Sequence, residues 1–120
     1  MSRQLRQLLK LIGAVGVIGG FFACTPQTKP EITVSPEHVP HRSHVDMRGT
    51  GFTPNQNVSS HLRRPDGTEY PVLPMLTDAR GEFRHDIDTM VLNLGTHEVW
   101  VVDDTSKLSS NVARFEVTID

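Results

Sequence analysis

The chain has little of what a soluble enzyme or a disulfide-bonded secreted domain needs. Its 120 residues include one cysteine, one tryptophan and one tyrosine, and aromatic residues make up 6%. A single cysteine excludes an intramolecular disulfide, so a folded domain must be stable by its core alone. Serine and histidine occur, but without a Gly-x-Ser-x-Gly or a His-Glu-x-x-His motif. We therefore expect a protein that is not an enzyme.

Clustered positive charge is also scarce. Three of the 12 basic residues precede Cys24, which leaves nine Lys and Arg against 14 Asp and Glu in residues 24–120, a net of about −5. Basic residues are adjacent only at Arg63-Arg64. A weakly acidic chain without a cluster of basic residues argues against nucleic acid as a partner.

The longest apolar run lies near the start of the chain. Residues 11–23 are 13 uncharged, mostly apolar residues, and they follow a stretch with three cations and no acid. A helix needs about 20 such residues to cross a bilayer, so the run is short for a permanent span. Its length and its basic flank are typical of a secretory signal peptide. The alternatives are an uncleaved N-terminal anchor or a buried core helix, which four glycines in the run disfavour.

The run ends in Phe21-Phe22-Ala23-Cys24. This end resembles the cleavage box of bacterial lipoprotein precursors, with Phe21 and Phe22 in place of the usual Leu and small residue. The resemblance implies lipid attachment at Cys24, a thioether plus an acylated amine, with palmitate as a typical chain. Two or more acyl chains hold a protein stably on a membrane. With Thr25 after the cysteine, the resemblance also implies the outer membrane when the host has two membranes.

The chain then divides into three parts. Residues 1–23 are the predicted lipoprotein signal peptide, and residues 24–30 are the lipidated Cys24 with a short Pro/Thr linker. Such a linker favours extended polyproline geometry and keeps the following domain close to the membrane. Residues 31–120 are predicted as one domain, because turn signals recur there at short spacing between alternating apolar runs. That pattern is typical of an all-β sandwich, here of about seven strands.

The strands are predicted from the alternation and from the breakers between them. Phe52 is expected as a core residue, Trp100 preferentially in the core, and Ile119 inward on the last strand. Pro71 and Pro74 cannot donate to a ladder, so their strand is predicted at an edge. The predicted strands cover residues 31–35, 44–48, 57–63, 69–73, a stretch that begins at 83, 98–103 and 112–119.

Five short segments carry a second resemblance. They are Val34-Ser35-Pro36, Gly49 to Pro54, Pro65-Asp66-Gly67, Thr77 to Phe83 and Leu94 to Val99. In this order they resemble the immunoglobulin-like domains of the IPT/TIG type. The resemblance implies an adhesive or scaffolding module without catalytic residues. His97 stands where such domains often carry tyrosine, and we expect its ring to pack and to bond the backbone as that tyrosine does.

Two sets of residues are candidates for binding. His38, His41 and His44 recur every three residues, and in polyproline geometry that spacing places three imidazoles on one side. Such a set would suit zinc, copper or nickel, although three solvent-facing histidines are the more ordinary interpretation. Trp100 and Tyr70, with Val102, would form a partner contact if Trp100 is exposed, because tryptophan dominates binding hot spots.

The sequence therefore supports two hypotheses from different classes. The first is a non-enzymatic cell-envelope lipoprotein whose immunoglobulin-like domain binds another envelope protein near the membrane. It includes a subunit of an envelope assembly such as a secretion or conjugation machine. The second is a metal-binding lipoprotein that uses His38, His41 and His44. Apart from the covalent lipid on Cys24, the first hypothesis needs no cofactor.

The lipid anchor can be tested directly. Cells that express the chain and are fed labelled palmitate should label the wild type and not Cys24→Ser, because no other thiol can carry the thioether. The Cys24→Ser protein should also leave the membrane fraction in buffer without detergent. Equal labelling of the two proteins would contradict the anchor.

Overall fold

The computed structural model describes residues 29–119, and the predicted signal peptide and Cys24 lie outside the described residues. Eight strands and one short 3₁₀ helix, Thr89–Val91, form this part. The strands are β1 Glu31–Ser35, β2 His38–Pro40, β3 His44–Thr50, β4 Asn57–Arg63, β5 Leu73–Leu76, β6 Phe83–Asp88, β7 Gly95–Asp103 and β8 Ala113–Thr118. No helix in this range is long and apolar enough to cross a membrane.

The strands pair into two sheets that face each other. The larger sheet has the order β2-β8-β7-β4-β5 and the smaller one β1-β3-β6. All neighbours are antiparallel except β2 and β8, which run parallel. The smaller sheet corresponds to strands A, B and E of an immunoglobulin domain, and β4, β7 and β8 correspond to C, F and G. The predicted all-β, immunoglobulin-like sandwich is confirmed.

Alternation along the strands produces the core. In β1, β3 and β7 every second residue is buried, and β4 begins in the same way with Val58 and Ser60, which is the pattern of sheets with one face inward. The inward residues of both sheets meet in one apolar cluster with Phe52, as the sequence predicted for that ring. The buried apolar residues are Ile32, Val34, Val39, Val45, Met47, Phe52, Val58, Ile87, Leu92, Val99, Val101, Phe115 and Val117.

At the end of β3, the two glycines of Gly49-Thr50-Gly51 are needed for different reasons. A Cβ on Gly49 would overlap the ring of Phe83 on the neighbouring strand, so the missing side chain lets that ring lie across β3. Gly51 has φ +80°, which favours glycine, and a Cβ there would overlap the Lys29 carbonyl. The two glycines bring the start of the domain and Phe52 against the sandwich.

Asp103 at the end of β7 holds two loops together. Its buried carboxylate accepts hydrogen bonds from the Thr53 N–H at 2.7 Å and the Thr53 hydroxyl at 2.8 Å. It also accepts from the backbone N–H groups of Thr105 at 2.9 Å and Ser106 at 3.2 Å. Burial raises the pKa of this carboxyl, but the hydrogen bonds lower it further and leave it below its usual value.

Three details of the sequence prediction were wrong. Ile119 is exposed, because β8 ends at Thr118. Residues 36–43, which no predicted strand covers, contain β2, which pairs with β8 at Glu116, Val117 and Thr118. The strand predicted at 69–73 starts instead at Leu73, although the predicted edge position is confirmed.

The shift of β5 follows from its prolines. Glu69 forms an isolated bridge to Arg63, and the Tyr70 N–H donates to the Leu62 carbonyl at 2.9 Å. Pro71 has no N–H to continue the ladder. Pairing with β4 resumes at Leu73. Between the two paired positions the β5 side has one residue more than β4, which is the geometry of a bulge.

The carboxylate of Asp103 can be tested by Asp103→Asn, which keeps the shape and leaves one acceptor oxygen. We expect a loss of about 2–3 kcal/mol in the free energy of unfolding, since hydrogen bonds to charged groups are the strong ones. Thermal unfolding measures it, with Asp104→Asn as the adjacent, exposed control.

The pH dependence supplies a second readout. Because the pKa of Asp103 is lower in the folded state, its contribution is complete above the unfolded value of about 3.9 and is lost as pH falls toward the folded value. The stability difference between wild type and Asp103→Asn should therefore shrink below about pH 4. A constant difference from pH 7 to pH 2 would contradict this role.

Candidate functional site

The three histidines of the predicted metal site are not brought together. His38 lies in β2, so the expected polyproline geometry is wrong for this stretch. Each ring has its own partner: His38 Nδ1 lies 3.1 Å from Glu116 Oε1, His41 Nε2 lies 3.0 Å from the Leu92 carbonyl, and His44 Nδ1 lies 3.1 Å from Asp86 Oδ2. Within residues 29–119 no group of three or more His, Cys, Asp or Glu residues is arranged to hold a metal ion.

Trp100 and Tyr70 lie on opposite faces of the larger sheet. Trp100 is not in the core, contrary to the preferred prediction, because β7 directs His97, Val99, Val101 and Asp103 inward and Trp100 outward. Tyr70 packs against the core from the inner side, with its ring 6.0 Å from that of His97. The structure therefore does not form the predicted patch of Trp100, Tyr70 and Val102.

The outer face around Trp100 is a network of stacked rings and paired charges. The His61 ring stacks on Trp100 with centroids 5.2 Å apart, and the Arg63 guanidinium lies 4.7 Å from the centre of the Trp100 ring. Glu98 accepts from Arg63 Nη1 and Arg114 Nη2, both at 2.9 Å. Most of the tryptophan surface and both arginine charges are thus engaged within the domain, as expected for a solvated sheet face.

At the opposite end of the domain from Lys29, four side chains stack from the surface into the core. The Arg64 guanidinium lies 3.9 Å from the centre of the Tyr70 ring, Tyr70 stacks on His97, and His97 stacks on Phe115 at 5.4 Å. The His97 Nδ1–H donates to the Gly95 carbonyl at 3.1 Å. Both expectations for His97, ring packing and a backbone hydrogen bond, are confirmed.

The hydrogen bonds of His97 assign its tautomer. Since the Gly95 carbonyl can only accept, Nδ1 carries the proton and Nε2 remains an acceptor, 3.3 Å from the Tyr70 hydroxyl. The pKa of His97 lies below its usual value, mainly because burial disfavours the charged ring and also because Arg64 is near, while the bond to Gly95 acts in the opposite direction. His97 is therefore a neutral core residue.

A gap in the sandwich lies between β5 and β6, the last strands of the two sheets. Within residues 29–119 no strand pairs with the outer edge of β6, where strand D of an immunoglobulin domain would lie. A pocket of about 350 Å³ reaches the core there. Its apolar lining consists of Leu62, Tyr70, Pro71, Leu73, Ile87, Val91, Leu92 and Val99.

We call this region the open side: the pocket between β5 and β6 together with the exposed apolar residues at its mouth. Leu73 and Val91, which line the pocket, are both exposed, and Val91 has 76% of its surface accessible. Asp86 and Asp88 lie at the rim. Ser60 and His85 also line the pocket, but they form no hydrogen bond with each other in the described part of the chain. The open side thus offers an apolar surface with an acidic rim.

Sequence reasoning missed the open side. A partial signal was present in Pro71-Val72-Leu73-Pro74, where two prolines flank two apolar residues. Apolar residues in such places pack less completely, but only the packing of the two sheets places Leu73 beside Val91 at one pocket.

Comparisons with known proteins add no assignment of function. No protein family and no curated protein matches the chain. Macromomycin is similar with 14% identity, over 76% of this chain and 99% of that chain, at a TM-score of 0.47. The CARDB domain of a Pyrococcus furiosus protein, solved in complex with di-metal ions, has 16% identity over 80% and 99%, at 0.46. A PKD domain of an M14-like peptidase from a Thermoplasmatales archaeon has 20% identity over 76% and 92%, at 0.39.

The buried ring of His97 generates a pH prediction. Because its folded pKa is lowered, the unfolded chain binds the proton first, and stability falls as pH drops below about 6.5. The slope for this group is at most about 1.4 kcal/mol per pH unit. In unfolding curves from pH 7.5 to 5, His97→Phe, which keeps a ring and cannot titrate, should lack this component, whereas the exposed control His38→Gln should retain it. Identical slopes in wild type and His97→Phe would refute the assignment.

Proposed function

We propose that this protein is an exported, membrane-anchored lipoprotein without enzyme activity, whose immunoglobulin-like domain binds another envelope protein through the open side. The observation that carries the proposal is the open side itself, an apolar mouth over a pocket that reaches the core. Contiguous exposed apolar surface rimmed by polar residues is typical of protein-binding sites. The outer face of the larger sheet supports binding less well, because its charges and Trp100 are already engaged.

The chemistry of the open side favours a protein over a small polar ligand. Leu62, Ile87 and Val99 form its floor, and the acids stay at the rim. Apolar area removed from water contributes about 25 cal/mol per Å², so covering this mouth is favourable without any new charge pair. The same lining contains no paired nucleophile and base, which supports binding as the role of this surface.

The linker limits how far the start of the domain can lie from the membrane. Five residues, 25–29, separate Cys24 from Pro30. Fully extended they span at most about 18 Å. Lipid on Cys24 would therefore hold Pro30 within about 20 Å of the membrane surface, while the open side lies toward the other end of the domain. The short tether supports the finer form of the proposal, a small subunit of an envelope assembly such as a secretion or conjugation machine.

The test is cross-linking in cells, followed by purification through a C-terminal tag on a flexible spacer. Wild type should enrich a defined envelope protein, and Val91→Asp should lose it, because the change places a charge in the mouth of the pocket. Ile119→Asp is the matched control, since Ile119 and Val91 are 79% and 76% exposed. Thermal unfolding of each variant checks that it is folded.

Each outcome decides a part of the proposal. Loss with Val91→Asp and retention with Ile119→Asp supports the open side. Equal capture by all three proteins would overturn the open side as the binding surface. Equal capture by Cys24→Ser would show that the anchor does not contribute to partner choice.

A further inference from the structure

The outer edge of β6 has backbone groups that point away from the sandwich. The Thr89 N–H donates to the Ser43 carbonyl at 2.9 Å and continues the register of β6 on β3. Hydrogen-bonded pairs alternate along an antiparallel ladder, so His85 and Ile87 bond to β3 in the same way. The N–H and C=O groups of Arg84 and Asp86 therefore face the free edge.

The outer edges of β1 and β5 are less suited to accept an added strand. On β1, the Asn111 side chain accepts from the Ile32 N–H at 2.8 Å and donates to the Ile32 carbonyl at 3.1 Å, which fills the place of a neighbouring strand. On β5, Pro74 has no N–H to give. Along β6, in contrast, no side chain of the described residues fills the place of a neighbouring strand in this way.

The pocket lies where the side chains of an added strand would fall. Successive side chains of a strand point to opposite faces, so every second residue of a strand on β6 would face the space between the sheets. That space is the pocket of about 350 Å³ beside Leu62, Ile87 and Val99. The remaining side chains would lie beside Arg84, Asp86 and Asp88 on the outer face.

The charge on that outer face indicates the chemistry of the added strand. Arg84 is engaged by Asp46, whose Oδ1 accepts from its Nε at 2.8 Å, so its charge is compensated on the β3 side. Asp86 and Asp88 remain at the edge as exposed carboxylates, with His44 beside Asp86. A second copy of β6 would bring its own carboxylates toward these, whereas Lys or Arg residues would pair with them.

We propose that an extended segment of a partner protein, alternating apolar with Lys or Arg residues, adds to the outer edge of β6. It becomes the fourth strand of the smaller sheet and places its apolar side chains in the pocket. This inference rests on the proposed function and specifies its binding mode. In strand addition, backbone hydrogen bonds supply affinity, and pockets for alternate side chains supply specificity.

Amide hydrogen exchange on the full chain in mild detergent tests this without a mutation. The probe is a peptide of about eight residues that alternates valine and lysine, with a valine–glutamate peptide as the charge control. Saturating valine–lysine peptide should slow exchange at Arg84 and Asp86 by about tenfold or more and leave His85 and Ile87, already bonded to β3, nearly unchanged. The valine–glutamate peptide should have no effect.

Two pairs of variants separate the backbone from the charge. Asp86→Pro removes both the carboxylate charge and the backbone N–H that faces the free edge. Asp86→Asn removes the charge and keeps the backbone N–H. We expect Asp86→Pro to bind the valine–lysine peptide about tenfold more weakly than Asp86→Asn. Asp86→Lys should weaken it about tenfold relative to wild type, whereas Glu31→Lys, on the far edge of the same sheet, should not.

The remaining outcomes overturn the inference in distinguishable ways. Peptide binding that depends on Val91 without protection at Arg84 and Asp86 would refute strand addition and leave the open side as a binding surface. No binding at about 1 mM peptide would refute the partner chemistry. Protection that rises with protein concentration alone would identify a second copy as the occupant. Protection that is present without peptide and does not change with protein concentration would identify residues 1–28 as the occupant of the β6 edge.

Discussion

The inward face of β7 is the constraint on which the rest of the domain depends. Four alternate residues of this strand are almost fully buried: His97, Val99, Val101 and Asp103. The two valines occupy the centre of the core, and a polar residue stands at each end. His97 bonds the Gly95 carbonyl at the start of its own strand, whereas Asp103 bonds two loops through Thr53 and through Thr105 and Ser106. In a domain without a disulfide, the Asp103 end of β7 joins the sheet to these loops.

The same strand explains which parts of the structure could be predicted from the sequence. Alternation in β1, β3 and β4 is one-sided, so their extent and inward face could be predicted closely. In β7 the residues from Val99 to Val102 are all apolar, so their pattern does not show which alternate set faces the core. The residues that would show it, His97 and Asp103, are polar but buried. A reader of the pattern alone therefore places Trp100 inward. Burial of a polar residue depends on partners distant in sequence, such as Thr53, which a local pattern does not contain.

The open side was beyond sequence reasoning for a related reason. Pro71 and Pro74 correctly indicate an edge strand, but the extra residue before Leu73 and the unpaired edge of β6 arise from how two sheets close. Packing of β5 and β6 leaves a gap where a fourth strand of the smaller sheet would fit, and apolar residues from two separate loops surround it. The histidine spacing, in contrast, was a visible pattern that the backbone distributes among three partners. The proposed binding role therefore rests on an incomplete sheet more than on any motif.

The central claim is that the open side is where the protein meets its partner. A photo-reactive amino acid placed in the living cell at Val91, and separately at Trp100 on the outer face, tests it most directly. The account predicts a single defined protein adduct from Val91 and none from Trp100. An adduct from Trp100 with none from Val91 would contradict it and would move the binding surface to the outer face of the larger sheet.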